Sequence, residues 1–245
     1  MKSGIVLSLA MAATLPALAN TATTANVIGV LPIYASSAET IIGIPWVAAS
    51  LAAEDEDIKV VDIVKTANLS VGDQLWWYDS LNKGFKCWQL NSSKEWQPAV
   101  MVGENNRPAA AEGASSQTLK RGEALVLVRT ATDLTAPFYV MGQYSSSSVA
   151  KLQLAAGSKT APAYSLIAPP FATAKGLNEA TWESVGANDV ILIQGKIYNY
   201  NNGQWGCWEV TNGVESFVSG GTIPAGTGVW FVSKSGAQVG ASVQW

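Results

Sequence analysis

The sequence contains no histidine, and this absence removes the commonest groups of enzyme chemistry. Without an imidazole the chain has no Ser-His or Cys-His nucleophile pair and no His-ligated metal site. A pair of carboxylates could still hydrolyse glycosides. The 18 acidic residues are few, however, and most fall in predicted loops or on the solvent-facing side of predicted strands. We therefore expect a protein without catalytic residues, bound metal or cofactor.

Charged residues are also sparse, at 13% of the 245-residue chain, with 15 basic and 18 acidic side chains. The sequence shows no basic stripe of the kind that a phosphate backbone requires, which argues against nucleic acid as a partner. The one acidic run, Glu54 to Asp57, lacks the spacing of a calcium-binding loop. Such runs are usually solvated, so we expect no metal there.

Long apolar runs are missing, except for a short one at the N-terminus. Lys2, the apolar run from Ile5 to Leu15 and the pattern Ala17-Leu18-Ala19 are typical of a secretory signal. The run is shorter than the roughly 20 residues that cross a bilayer. The sequence predicts a signal peptide at residues 1–19 and a mature chain without a membrane span. We expect that chain at the cell surface, associated with the outer membrane or in the periplasm.

The remaining sequence is rich in Gly, Ser, Thr, Val and Trp, a composition that favours strands and tight turns. Short apolar stretches alternate with turn residues from Val27 to the end of the chain. One stretch, Ile58 to Leu69, mixes helical spacing with β-branched residues, which predicts a strand that enters a helical turn. The expected fold class is all-β, with at most short helical turns.

The only two cysteines lie in similar motifs, Phe85-Lys86-Cys87-Trp88 and Trp205-Gly206-Cys207-Trp208. When these motifs are aligned, the strands before and after them also correspond, apart from one extra strand in the second copy. The sequence thus predicts two similar antiparallel β-sandwich units in tandem, at residues 20–147 and 148–245, with the serine run 145–148 at their border. The alignment also predicts that Trp88 and Trp208 fill equivalent cores.

Two interpretations of the cysteines stay open. Export permits a disulfide between Cys87 and Cys207 that ties the units together. Alternatively, each thiol is a small apolar group buried in its own unit. A catalytic thiol is not expected, because no histidine is present to activate it.

The ten tryptophans have either a packing role or a binding role. Four lie on predicted apolar strands and are expected in the core: Trp46, Trp88, Trp208 and Trp230. Trp76 and Trp77 are consecutive, so one of them faces outward if the strand is regular. Trp205 lies near a predicted turn. Exposed rings of this kind stack on sugars, which makes Trp76, Trp77 and Trp205 the candidate glycan-stacking residues, although tryptophans more commonly fill a core.

Three segments of the second unit resemble small β-sandwich modules of bacterial surface proteins. Tyr164 to Phe171 resembles their W-N-L-I-G-N-P-F strand, Asp189 to Trp205 their D-x-I-Y-V-Y-D-G-x-Y meander, and Ile223 to Phe231 their I-P-A-G-Q-G-F-W-V strand. The two-unit arrangement is similar to exported two-repeat proteins of verrucomicrobial and planctomycete type. The first unit departs from the pattern at Arg121 to Leu125. The resemblance implies a module without established catalytic residues.

From these observations we expect a non-catalytic exported β-protein of the cell surface or periplasm with a structural or adhesive role. The alternative is a carbohydrate-binding protein that uses exposed tryptophans. The expected partners are other surface proteins or glycans, and the sequence leaves the oligomeric state open.

Overall fold

The computed structural model describes residues 28–34, 39–43, 58–80, 83–99, 118–131, 133–143, 151–171, 173–236 and 240–245. The predicted signal peptide, the acidic run at 54–57, Trp46 and the predicted border at 145–148 lie outside these ranges, so the predicted unit boundaries stay predictions. Within the described ranges, no helix has the length and apolar character needed to span a membrane.

The described residues form an all-β fold of antiparallel sheets in two groups, which confirms the predicted fold class. The strands of the first unit are β1 (Ile28–Ile33), β2 (Glu39–Gly43), β3 (Ile58–Lys59), β4 (Val64–Lys65), β5 (Gln74–Asp79), β6 (Gly84–Leu90), β7 (Trp96–Pro98), β8 (Thr118–Leu119), β9 (Ala124–Val128) and β10 (Phe138–Gln143). One helical turn, α1 (Val60–Ile63), joins β3 to β4, as the mixed pattern of this stretch predicts.

The second unit repeats this order with one additional strand. Its strands are β11 (Lys151–Gln153), β12 (Ser158–Ile167), β13 (Lys175–Gly176), β14 (Thr181–Glu183), β15 (Val190–Ile193), β16 (Lys196–Asn201), β17 (Gln204–Thr211), β18 (Val214–Ser219), β19 (Thr222–Ile223), β20 (Val229–Ser235) and β21 (Ser242–Gln244). A 3-10 turn, η1 (Leu177–Glu179), stands where α1 stands in the first unit.

The sheets of the two units have the same strand order. The large sheet is β2-β9-β5-β6-β7 in the first unit and β12-β20-β15-β16-β17-β18 in the second. The three-stranded sheets are β1-β10-β4 and β11-β21-β14, and the two-stranded pairs are β3-β8 and β13-β19. In each unit a buried apolar cluster lies between the large and the three-stranded sheet. Each unit is therefore a β-sandwich, and the second one carries β18 as an extra edge strand.

A buried aspartate identifies the equivalent strands of the two units. Asp73, before β5, accepts hydrogen bonds from the N–H of Thr130 at 2.7 Å and of Ser70 at 2.9 Å. Asp189, before β15, accepts in the same way from the N–H of Lys234 at 2.6 Å and of Gly186 at 2.9 Å. Both carboxylates thus tie the start of one central strand to the end of its neighbour. By this register β5, β6 and β7 correspond to β15, β16 and β17.

This register corrects the alignment of the two cysteine motifs. Cys87 lies on β6, whereas Cys207 lies on β17, which is the equivalent of β7. The true counterpart of Trp205 is Trp96, because each pairs with the end of the preceding strand and each is buried. The prediction that Trp208 fills a core was wrong. Its side chain is 51% exposed, because it lies on the β17–β18 hairpin, which has no counterpart in the described part of the first unit.

The two units join through backbone contacts related by an approximate two-fold axis. Two isolated bridges cross the joint, Ile42 with Thr227 and Ile167 with Glu123. Two hydrogen bonds accompany them, from Gly43 N–H to the Gly226 carbonyl at 2.9 Å and from Ala168 N–H to the Gly122 carbonyl at 2.8 Å. The two bridges are equivalent to each other, and so are the two hydrogen bonds, with the roles of the two units exchanged. This reciprocity is the geometry of an isologous interface, here within one chain.

The joint requires a residue without a side chain at position 43. A Cβ added to Gly43 would lie 2.7 Å from the Ala168 Cβ and 2.9 Å from the Thr227 carbonyl oxygen. We expect Gly43→Ala to lower the free energy of unfolding by about 1–3 kcal/mol, because the two backbones must move apart. Denaturant unfolding measures this change. The double variant Gly43→Ala/Ala168→Gly removes the closer contact and should recover part of the loss. Unchanged stability of Gly43→Ala would contradict the described joint.

The buried aspartate supports a second stability prediction. Asp189 accepts hydrogen bonds from three backbone N–H groups and from the Ser235 hydroxyl. We expect Asp189→Ala to cost on the order of 3 kcal/mol, since the buried donors lose their partner. The matched control is Asp133→Ala, in an exposed loop where the carboxylate accepts hydrogen bonds from the N–H and hydroxyl of Thr135. Thermal unfolding of the control should stay close to that of the unmodified chain, and equal losses in both variants would contradict the structural role of Asp189.

Candidate ligand-binding cleft

A cleft of about 560 Å³ lies where the large sheets of the two units meet. The first unit contributes residues of β2, β5, β6 and β9, and the second contributes one residue of β20. The lining residues are Glu39, Ile41, Gln74, Trp76, Phe85, Val126, Val128 and Trp230. A volume of this size lies within the range of small-molecule sites, which are typically mostly apolar with a few polar groups.

The alternation of β5 decides which of the two consecutive tryptophans faces the cleft. Leu75 is buried in the core of the first unit, and Trp77 packs against that core from the same side of the strand. The Lys86 ammonium nitrogen lies 5.1 Å from the centre of the Trp77 ring. Trp76 points to the opposite side, because successive side chains of a strand alternate between faces. Of the three candidate stacking residues, Trp76 is the one that lines the cleft.

Aromatic rings from both units form the floor of this region. The Phe85 ring centre lies 5.7 Å from that of Trp76 and 6.1 Å from that of Trp230. Tyr78 contacts both Phe85, at 5.0 Å, and Trp230, at 5.5 Å. All four contacts are edge-to-face, the arrangement that aromatic quadrupoles favour. Burial, with Tyr164 and Asp79 nearby, raises the pKa of the Tyr78 phenol, which therefore stays neutral at physiological pH.

Two polar side chains complete the lining. The Trp76 indole Nε1 donates to the Gln74 Oε1 at 3.0 Å, which fixes the orientation of the indole ring. The Glu39 carboxylate comes from β2, the edge strand of the large sheet. The cleft therefore combines aromatic surface with one carboxylate and one amide, a set that suits a ligand with an apolar face and hydroxyl groups at its rim.

The second unit shows which residues the same framework carries at the equivalent positions. The strand registers place Tyr164 where the first unit has Glu39, because each pairs with the equivalent residue of the neighbouring strand. They likewise place Val190 at the position of Gln74 and Leu192 at the position of Trp76. Packing of the sheet accepts aliphatic residues at two of these three positions. The strand pairing of the large sheet therefore does not require a polar residue at position 74 or an aromatic residue at position 76.

Trp205 occupies a different environment. Its side chain is fully buried, and its ring centre lies 5.1 Å from Trp182 and 6.3 Å from Phe231 in the core of the second unit. A ring enclosed in this way offers no face to a sugar. Glu39, Gln74 and Phe85 were not among the candidate site residues, and Trp230 was expected in the core but is only partly buried and lines the cleft. Gln74 and Phe85 share the face of Trp76 and follow from strand alternation, whereas Glu39 and Trp230 come from distant strands.

Both cysteines are free thiols, which gives no support to the predicted bridge between Cys87 and Cys207. Cys87 is fully buried, and this burial raises the pKa of its thiol to about 12. Cys207 is partly exposed and donates to the Glu209 carboxylate, with 3.4 Å between Sγ and Oε1. Burial and then Glu209 raise its pKa as well. Neither thiol has the depressed pKa of a nucleophilic cysteine.

Further comparisons give no additional assignment. Among the described residues, no three His, Cys, Asp or Glu side chains gather closely enough to hold a metal ion. Searches of protein-family models, curated proteins and solved structures find no match to this chain. The described residues thus form an all-β protein with two β-sandwich units and an aromatic cleft where their large sheets meet.

The two thiols should differ in their reaction with iodoacetamide. In the folded chain we expect slow alkylation of Cys207 that accelerates with rising pH, because the thiolate is the reactive form, and protection of buried Cys87. Glu209→Gln should accelerate labelling of Cys207, since it removes a carboxylate that disfavours the thiolate. Mass spectrometry of digested protein reads out both sites. If neither thiol reacts in the unfolded, unreduced chain, the cysteines are bridged and their description as free thiols is wrong.

Proposed function

We propose that this chain is a non-catalytic exported β-protein that binds carbohydrate in the cleft between its two units. The observation that carries the proposal is the combination of Trp76, Gln74 and Glu39 at positions where the second unit has Leu192, Val190 and Tyr164. Because the second unit packs with aliphatic side chains at the positions of Gln74 and Trp76, a role in ligand binding accounts for the polar and aromatic residues of the first unit.

The chemistry of the cleft matches a sugar ring better than a purely apolar ligand. The C–H face of a sugar packs on an aromatic ring, and Trp76, Phe85 and Trp230 supply such rings. Hydroxyl groups need acceptors and donors, which Glu39 and Gln74 supply at the same cleft. Among the described residues that line the cleft, Glu39 is the only carboxylate, whereas glycoside hydrolysis usually requires two. The arrangement therefore favours binding over cleavage.

The proposed role fits an exported surface or periplasmic protein. A chain that carries a signal sequence and binds envelope or extracellular polysaccharide would serve as an adhesive component. The resemblance of the second unit to surface-protein modules supports the same location. A purely structural component of the cell surface is the rival role, and it differs in one observable respect, because it requires no glycan in the cleft.

A binding titration tests the proposal. A glycan array of bacterial and plant polysaccharides selects the probe, and isothermal titration calorimetry then measures its affinity. We expect Trp76→Leu to weaken binding by about tenfold or more, which corresponds to the loss of about 1.4 kcal/mol of contact. The fold should tolerate this change, since Leu192 occupies the equivalent position.

Trp208→Leu is the matched control. Trp208 is an exposed tryptophan outside the cleft, so its replacement should leave the affinity unchanged. Glu39→Gln should also weaken binding, because a neutral amide accepts hydrogen bonds from hydroxyl groups less strongly than a carboxylate. If no glycan binds, or if Trp208→Leu alone abolishes binding, the cleft is not a carbohydrate site.

A further inference from the structure

The additional hairpin of the second unit, β17–β18, extends beyond the body of the large sheet. β16 pairs with β17 only from Gln204 to Gly206, whereas β17 pairs with β18 from Gly206 to Thr211. Within the described part of the chain, residues 207–211 and 214–218 therefore have only each other as ladder partners. We refer to residues 204–219 as the ribbon.

The ribbon concentrates exposed apolar side chains. It carries four of the nine large apolar residues that are exposed in the described chain: Trp208 (51%), Val210 (70%), Val214 (66%) and Val218 (43%). Phe217 is half-buried, and its ring lies over Gly206, where a Cβ would come within 2.6 Å of Cζ. Its ring centre is 5.4 Å from that of Trp208. One face of the ribbon thus presents an aromatic pair in which Trp208 is exposed and Phe217 is half-buried.

The outer edge of β18 has no ladder partner among the described residues. The Gly220 N–H donates to the Trp205 carbonyl at 2.9 Å, and the register is regular from there to the turn. Because an antiparallel ladder alternates, the N–H and C=O of Glu215, Phe217 and Ser219 point away from β17. β18 is the last strand of its sheet among the described residues. It lacks lysine and proline, two residues that commonly protect such an edge.

We propose that β18 pairs with β18 of a second copy of this chain, antiparallel, about a two-fold axis through Phe217. In this register the three outward-pointing residues of one copy meet those of the other. Phe217 faces Phe217, and Glu215 faces Ser219 of the second copy. The large sheet then continues without interruption from one chain into the next.

The edge is complementary to itself, which argues for a second copy as the occupant. Its single charged residue, Glu215, meets a serine rather than another carboxylate, so no like charges oppose each other. The Phe217 rings meet at the axis with a Trp208 beside each. In the first unit the large sheet ends at the three-residue strand β7, and no described strand corresponds to β18. Because the described part of the chain has one edge of this kind, pairing closes as a dimer.

The mass of the exported chain in solution tests this inference, which is independent of the cleft. Size-exclusion chromatography with light scattering should show a concentration-dependent dimer. We expect Phe217→Lys to raise the dimer dissociation constant by about tenfold or more, because two ammonium groups would then meet at the axis. The matched control Val214→Lys replaces an exposed apolar residue of the same strand and should leave the dimer intact.

A second variant, which changes the backbone of β18, keeps the proposal testable if Phe217→Lys does not fold. Glu215→Pro removes an N–H that points away from β17, so the intrachain ladder and the circular dichroism spectrum should persist while the dimer weakens. A monomer at all concentrations up to the near-millimolar range would overturn the proposal. So would an equal loss of dimer in Phe217→Lys and Val214→Lys, which would indicate general apolar adhesion.

Disulfide trapping tests the register in a Cys207→Ser background. Across the axis the two Cα atoms of residue 217 lie about 5.5 Å apart, which is within reach of a disulfide. Phe217→Cys should therefore form a covalent dimer on oxidation. Val214→Cys should not, because the two residues 214 of the dimer lie at opposite ends of the paired β18 strands. Equal trapping at both positions would rule out this register.

Discussion

The close approach of two backbones at the joint is the contact on which the rest of the arrangement depends. The Gly43 N–H reaches the Gly226 carbonyl at 2.9 Å, and the equivalent Ala168 N–H reaches the Gly122 carbonyl at 2.8 Å. A side chain at Gly43 would separate these strands. Because the same strands carry Ile41 and lead into Trp230, this contact also brings an aromatic residue of the second unit against the large sheet of the first.

The two units on either side of this joint share one β-sandwich framework but differ in the side chains at the joint and in the edge of the large sheet. Buried Asp73 and Asp189 hold equivalent strand ends in both units, so the framework itself is maintained. The first unit places Trp76 and Gln74 on the face that meets its neighbour, and the second unit places aliphatic residues there. The second unit instead extends its sheet by β18. The cleft is thus lined mainly by the first unit, whereas the edge strand β18 belongs to the second.

Much of the fold was predictable from local patterns. Alternating apolar residues and turn signals locate most strands, and the mixed pattern of Ile58 to Leu69 corresponds to β3, α1 and β4 in the structure. Alignment of the two cysteine motifs gave the wrong register, because a similarity of four residues does not show that the motifs lie on different strands of the meander. Cys207 belongs to the third strand of its meander and Cys87 to the second. Only the Asp73 and Asp189 hydrogen bonds, which join residues far apart in the chain, establish the register.

Local sequence patterns were sufficient to predict the all-β class, because apolar periodicity and turn residues specify strands and turns over a few neighbouring positions. They also predicted that Trp76 and Trp77 face opposite sides of β5. Which of them reaches a cleft depended on the second unit, since Trp230 and Glu39 arrive from distant strands. The same holds for Trp205 and Trp208, whose exposures are the reverse of those expected. Burial is set by what packs against a strand, and that is decided only when the sheets assemble.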